Sequence, residues 1–120
     1  MATYFFLSTN FTHDERRPWT PPVDIYRTPL GWLLKFELAG IRMQDVSLRV
    51  SERSITLEGI RRDYMLEEGS NCYSMEISYN RFERRVDLPV DLDGARIILD
   101  YKDGILLVRI RLDSSEGDRK

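Results

Sequence analysis

The sequence predicts an all-β protein, an antiparallel β-sandwich. Three observations carry this. Short apolar runs alternate with polar residues at regular spacing, turn residues separate them, and no stretch of ten or more residues reads as a helix. The clearest unit closes the chain. Ala95, Ile97, Leu99 and Tyr101 share one parity, and Leu106, Val108, Ile110 and Leu112 repeat it after Lys102-Asp103-Gly104. Period-two alternation puts each set on one strand face. Asp-Gly tolerates the positive φ of a tight turn, so the unit is a β-hairpin.

From the N-terminus, residues 1–22 read as an arm. It holds Tyr4, Phe5, Phe6, Phe11 and Trp19, and its charges are confined to Asp14, Glu15, Arg16 and Arg17. Pro18, Pro21 and Pro22 keep it extended and block a helix. So many aromatic rings require a surface, on the chain's own domain, on a partner subunit or on a client. Residues 23–112 form the domain. Val23 and Ile25 alternate with Asp24 and Tyr26, and Thr28-Pro29-Leu30-Gly31 turns the chain. Trp32, Leu34, Phe36 and Leu38 then face one way, and Ala39-Gly40 ends the run. Val46, Leu48 and Val50 form the next strand. Glu52-Arg53 turns into Ser54 to Gly59, with Ile55 and Leu57 inward.

Arg61 to Asn71 breaks the alternation with charges and turn residues, as a long exposed excursion. Loops of that length in a compact domain usually have a task. It leads into Cys72 to Ser78, where Tyr73, Met75 and Ile77 alternate, a strand able to reach a neighbouring sheet edge. Arg84 shares parity with Phe82, Val86 and Leu88, so it points at an apolar face. Either it snorkels to the rim or its planar fork pairs with a carboxylate at a subunit interface. Residues 113–120 are a short polar tail.

The 120 residues suit one domain, 42% apolar and 32% charged. A net charge of −2 and a pI near 5.4 speak against a nucleic-acid binder, which usually shows a basic stripe. One cysteine, Cys72, excludes an intrachain disulfide and fits a reducing compartment. Met1 to Asn10 lacks the basic start and apolar run of a secretory signal, and no run reaches the ~18 residues of a membrane span. The expected location is cytoplasmic, with no membrane partner. Catalytic chemistry has no constellation to stand on. His13, the single histidine, lies in the arm, Cys72 has no CxxC partner, and no glycine-rich phosphate loop occurs. No enzyme activity, metal or cofactor is expected.

The ordered series of motifs resembles the small heat-shock proteins of the bacterial and plant branch, with their α-crystallin domain. Trp19-x-Pro21-x-Val23-Asp24-Ile25-Tyr26 resembles the family's first strand. Phe36-Glu37-Leu38-Ala39-Gly40 sits where the family usually has leucine-proline-glycine, with Ala39 at the proline. Asp45-Val46-Ser47-Leu48, Ile55-Thr56-Leu57-Glu58-Gly59, Tyr73-Ser74-Met75-Glu76 and Phe82-Glu83-Arg84-Arg85-Val86-Asp87-Leu88-Pro89 follow in order, then the hairpin.

The resemblance implies an immunoglobulin-like sandwich, a homodimer built by strand exchange and ATP-independent binding of unfolding proteins. Cys72, Tyr73, Met75 and Ile77 would belong to the exchanged strand, and Arg84 to the dimer interface. Val46, Leu48, Val50, Ile97 and Leu99 would line a groove between sheet edges that takes up clients, with further contacts from the arm residues Tyr4, Phe5, Phe6 and Phe11. The family's C-terminal isoleucine-x-isoleucine motif is missing from 113–120, since Ile110-Arg111-Leu112 lies inside the last strand. Dimers or small arm-mediated assemblies are therefore expected rather than large cages. The function read from the sequence is a holdase chaperone. The alternative is a co-chaperone-like or scaffold module that binds a folded partner.

Overall fold

The structure, a computed structural model, describes residues 17–112. Seven strands, β1 (Val23–Thr28), β2 (Gly31–Glu37), β3 (Val46–Ser51), β4 (Ser54–Arg61), β5 (Asn80–Asp87), β6 (Arg96–Lys102) and β7 (Ile105–Arg111), follow one another, with a 3-10 turn at Met43–Asp45. They form two antiparallel sheets, β1-β2-β7-β6 and β3-β4-β5. The all-β sandwich and its turn positions agree with the sequence reading.

Each inward set lands where its parity places it. Leu34, Phe36 and Leu38 from the β2 segment, Ile55 and Leu57 from β4, Phe82 from β5, and Leu106 and Val108 from β7 are all fully buried and form the core. Val46, Leu48, Ile97, Tyr101 and Leu112 pack against it while half-buried. The β6–β7 turn has φ of 52° at Asp103 and 80° at Gly104, both left-handed, as a two-residue hairpin of this twist demands.

Strand alternation names a face but not how wide the opposing sheet is, and here that width matters. In register, Ile25, Leu34, Val108 and Leu99 form one inward row across the four-stranded sheet. The two central residues are fully buried, whereas Ile25 is 44% and Leu99 41% exposed. The facing sheet has only three strands, so both ends of the row overhang it.

The segment before β1 also belongs to the fold. Trp19 makes a parallel bridge to Phe82, donating its amide to the Arg81 carbonyl (3.1 Å) and accepting from the Glu83 amide (3.0 Å). Trp19 thus covers part of the β5 edge. Only residues 20–22 separate it from β1, so the β1 and β5 edges are neighbours. The edges β3 and β6 therefore lie together on the opposite side of the sandwich.

Candidate functional site: two open edges and a braced loop

The five residues expected from sequence to line a groove lie on the two edge strands, Val46, Leu48 and Val50 on β3 and Ile97 and Leu99 on β6, with graded exposure. Val46, Leu48 and Ile97 lean on the core; Val50 and Leu99 are each 41% exposed. Ile98, on the outward face of β6, adds another exposed apolar group. Among the described residues, neither β3 nor β6 has a hydrogen-bonded neighbour on its outer side. An apolar strip beside unpaired backbone can receive an extended peptide.

Arg84 sits opposite Leu57 on β5, between buried Phe82 and Val86, so its parity was read correctly. Its Nη1 reaches the Pro21 carbonyl at 3.5 Å, at the β1–β5 edge. Within the chain it behaves as the rim reading expects. Among the described residues no carboxylate pairs with it.

Cys72 to Ile77 departs from the sequence expectation of a strand. Residues 72–78 join no sheet of this chain, and Cys72, Tyr73, Met75 and Ile77 are all exposed. The alternation is present in the sequence, but among the described residues no strand pairs with it. An exposed segment without a ladder partner leaves its backbone groups to water, free to exchange that water for a second strand.

The roots of this excursion are held by residues the sequence reading passed over as a charged, solvated stretch. Arg62 grips Asp45 with two hydrogen bonds, Nε to Oδ2 at 3.1 Å and Nη2 to Oδ1 at 3.2 Å. The Tyr64 hydroxyl donates to the same Oδ2 at 3.1 Å, and the Arg42 guanidinium lies 3.8 Å from the Tyr64 ring centre. The Arg62 hydrogen bonds hold the Asp45 carboxyl below its ordinary value; burial opposes them and the Tyr64 hydroxyl adds to them. A carboxylate with a depressed folded-state value contributes stability in full above its unfolded value, and the contribution is lost as pH falls through the folded value. The clasp should therefore persist at neutral pH and open only below about pH 4. Amide exchange at 62–65, corrected for intrinsic rate, should rise over that acid range. Asp45→Asn should show raised exchange already at neutral pH; a profile identical to wild type would show that the clasp bears no load.

Among the described residues, no group of three or more His, Cys, Asp or Glu side chains could hold a metal ion, and no helix is long and apolar enough to cross a membrane. His13 and the arm residues Tyr4, Phe5, Phe6 and Phe11 lie outside the described residues.

Two unequal antiparallel sheets with open edges and a long excursion before β5 define a sandwich of the α-crystallin type. The chain belongs to the Hsp20/alpha crystallin family, whose model matches residues 24–120. The family comprises small heat-shock proteins, in general non-enzymatic chaperones, and this membership supports a chaperone role for the chain. Small heat shock protein C2 of Rickettsia felis is 26% identical over 115 residues, covering 96% of this chain and 75% of that one. Small heat shock protein C4 of the same organism is 26% identical over 99 residues, and the chain spans 61% of its length. Among solved structures, hspA of Xanthomonas axonopodis superposes with a TM-score of 0.66 at 26% identity, over 81% of this chain and 97% of that one.

Proposed function

We propose that the protein is an ATP-independent holdase of the cytoplasm, which takes up exposed apolar segments of unfolding proteins before they aggregate. The observation that supports this most is the overhang at the β3–β6 side. There the groove keeps Val50 and Leu99 exposed beside unpaired backbone. Capture of an unfolded chain by such a strip competes with aggregation by mass action and needs no nucleotide. The aromatic arm, through Tyr4, Phe5, Phe6 and Phe11, adds client contacts.

The working unit in this reading is a homodimer made by strand exchange. The segment Cys72 to Ile77 of one subunit pairs with an open sheet edge of its twin. β1, unpaired on one side and carrying exposed Ile25 and Tyr26, is the edge whose surroundings suit it. Arg84 opens toward the same edge and would find there a carboxylate from the partner.

Light scattering of a heat-aggregating client tests the function. Several-fold excess of the protein should suppress scattering without ATP. The double variant Val50→Glu, Leu99→Glu should lose most of that protection while its circular dichroism stays that of wild type. Those positions serve better than Leu48, which leans on the core and would mix folding with binding. Full protection by the double variant would remove the groove from the mechanism, and absence of protection by wild type would end the holdase reading.

A further inference from the structure

We propose that Arg61 is the positioning residue that sets how the exchanged segment leaves the sandwich, an inference that rests on the strand-exchange reading above. β4 ends at Arg61 and Arg62 follows it directly, and the two arginines hold different partners. Arg62 grips the outgoing root of the excursion through Asp45. Arg61 grips the returning root. Its Nε and Nη2 donate to the Ser78 carbonyl at 2.9 and 2.7 Å, and its Nη1 donates to the Ala39 carbonyl at 3.1 Å. The guanidinium carbon lies 4.3 Å from the Trp19 ring centre and 5.9 Å from that of Tyr79.

One planar fork therefore joins four segments: the end of β2, the end of β4, the residues leading into β5, and the point where the arm meets the fold. Only a guanidinium can do this, because it presents several donors in fixed directions and stacks on rings with its face. Between the two roots, residues 71–77 make no hydrogen bond to any other described residue. The course of Tyr73, Met75 and Ile77 is thus set from the tethers, and Ser78 adjoins Ile77 directly. A segment aimed in advance gives up less conformational freedom when it docks on a partner. The same side chain holds Trp19, so the exit of the arm and the return of the loop are fixed together.

The test is a dilution series of the full chain by sedimentation velocity, comparing wild type with Arg61→Ala, Arg61→Lys and Arg49→Ala. Arg49 is an exposed cation paired with Glu58 at 3.2 Å, away from the loop, and controls for lost charge. Arg61→Ala should raise the dimer dissociation constant about tenfold, the scale of leaving one residue's backbone to be ordered at docking. Arg61→Lys keeps the charge but cannot bridge two carbonyls, so it should fall between alanine and wild type; it also carries the test if the alanine variant folds poorly. Amide exchange across 72–79 should rise in both Arg61 variants and not in Arg49→Ala. Wild-type dissociation constants for both Arg61 variants would overturn the proposal. A wild-type chain that stays monomeric at every concentration would overturn strand exchange itself, so the two failures are distinct.

Discussion

Phe82→Ala should cost about 3–5 kcal/mol of folding stability, the range for deleting a buried aromatic ring. The side chain is fully buried, and three different elements are built around it. Its register partner on β4 is Gly59, where an added Cβ would lie 2.6 Å from the ring's Cζ and 2.5 Å from the Asp45 carbonyl oxygen. The ring thus fills the space a side chain at 59 would need, and the glycine lets it in. On its other side the Trp19 ring packs at 5.3 Å, tilted by 55°. Truncation therefore opens a cavity against a position that has no side chain to collapse into it. It also removes the surface on which Trp19 rests. Domains of this size typically hold about 5–15 kcal/mol in all, so the variant should sit near the limit of folding. Urea denaturation measures it; Phe82→Leu, which keeps much of the volume, should lose markedly less. A loss under about 1 kcal/mol for the alanine variant would mean that the layer under Trp19 is not packed as described.

Much of this was legible before any coordinates. Parity alone placed Leu34, Phe36, Ile55, Leu57, Leu106 and Val108 inward, because a strand has only two faces and each run has one apolar set. The Asp103-Gly104 turn was legible for a similar reason: few residue pairs accept left-handed φ at both positions. Parity could not tell which inward residues remain covered. Ile25 and Leu99 have the same signature as Leu34 and Val108, and only the count of strands in the opposite sheet separates them. The groove was therefore assigned by resemblance, and its graded exposure came from the fold. Arg61, Arg62 and Asp45 were missed for another reason. Their partners are backbone carbonyls and residues about twenty positions away, and nothing local marks an arginine that will clamp a loop rather than solvate it. Cys72 to Ile77 shows the converse, a strand signal with no strand to pair with among the described residues.

That unpaired signal carries the largest expected effect on assembly. Met75→Glu combined with Ile77→Glu should convert the proposed dimer to monomer, raising its dissociation constant by about a hundredfold or more. The two side chains are 55% and 59% exposed and alternate in sequence with Tyr73, which is wholly exposed. Burying such a side chain is worth about 1.5–3 kcal/mol in full, somewhat less here because each is already partly covered. Two together reach the few kcal/mol that a hundredfold change requires. A carboxylate in their place adds a desolvation cost on docking. The subunit itself should hardly notice, because substitutions at exposed positions without partners usually stay within about 0.5 kcal/mol. The thermal transition of the diluted variant should thus match that of diluted wild type while the mass differs. Met65→Glu, 86% exposed on the same excursion but outside the alternating run, serves as the control and should leave the mass unchanged. Equal masses for all three chains at equal concentration would show that subunits meet through some other surface. The pair of substitutions thus separates the stability of the subunit, which lies in the sandwich core, from that of the dimer, which this reading places in side chains the core does not use.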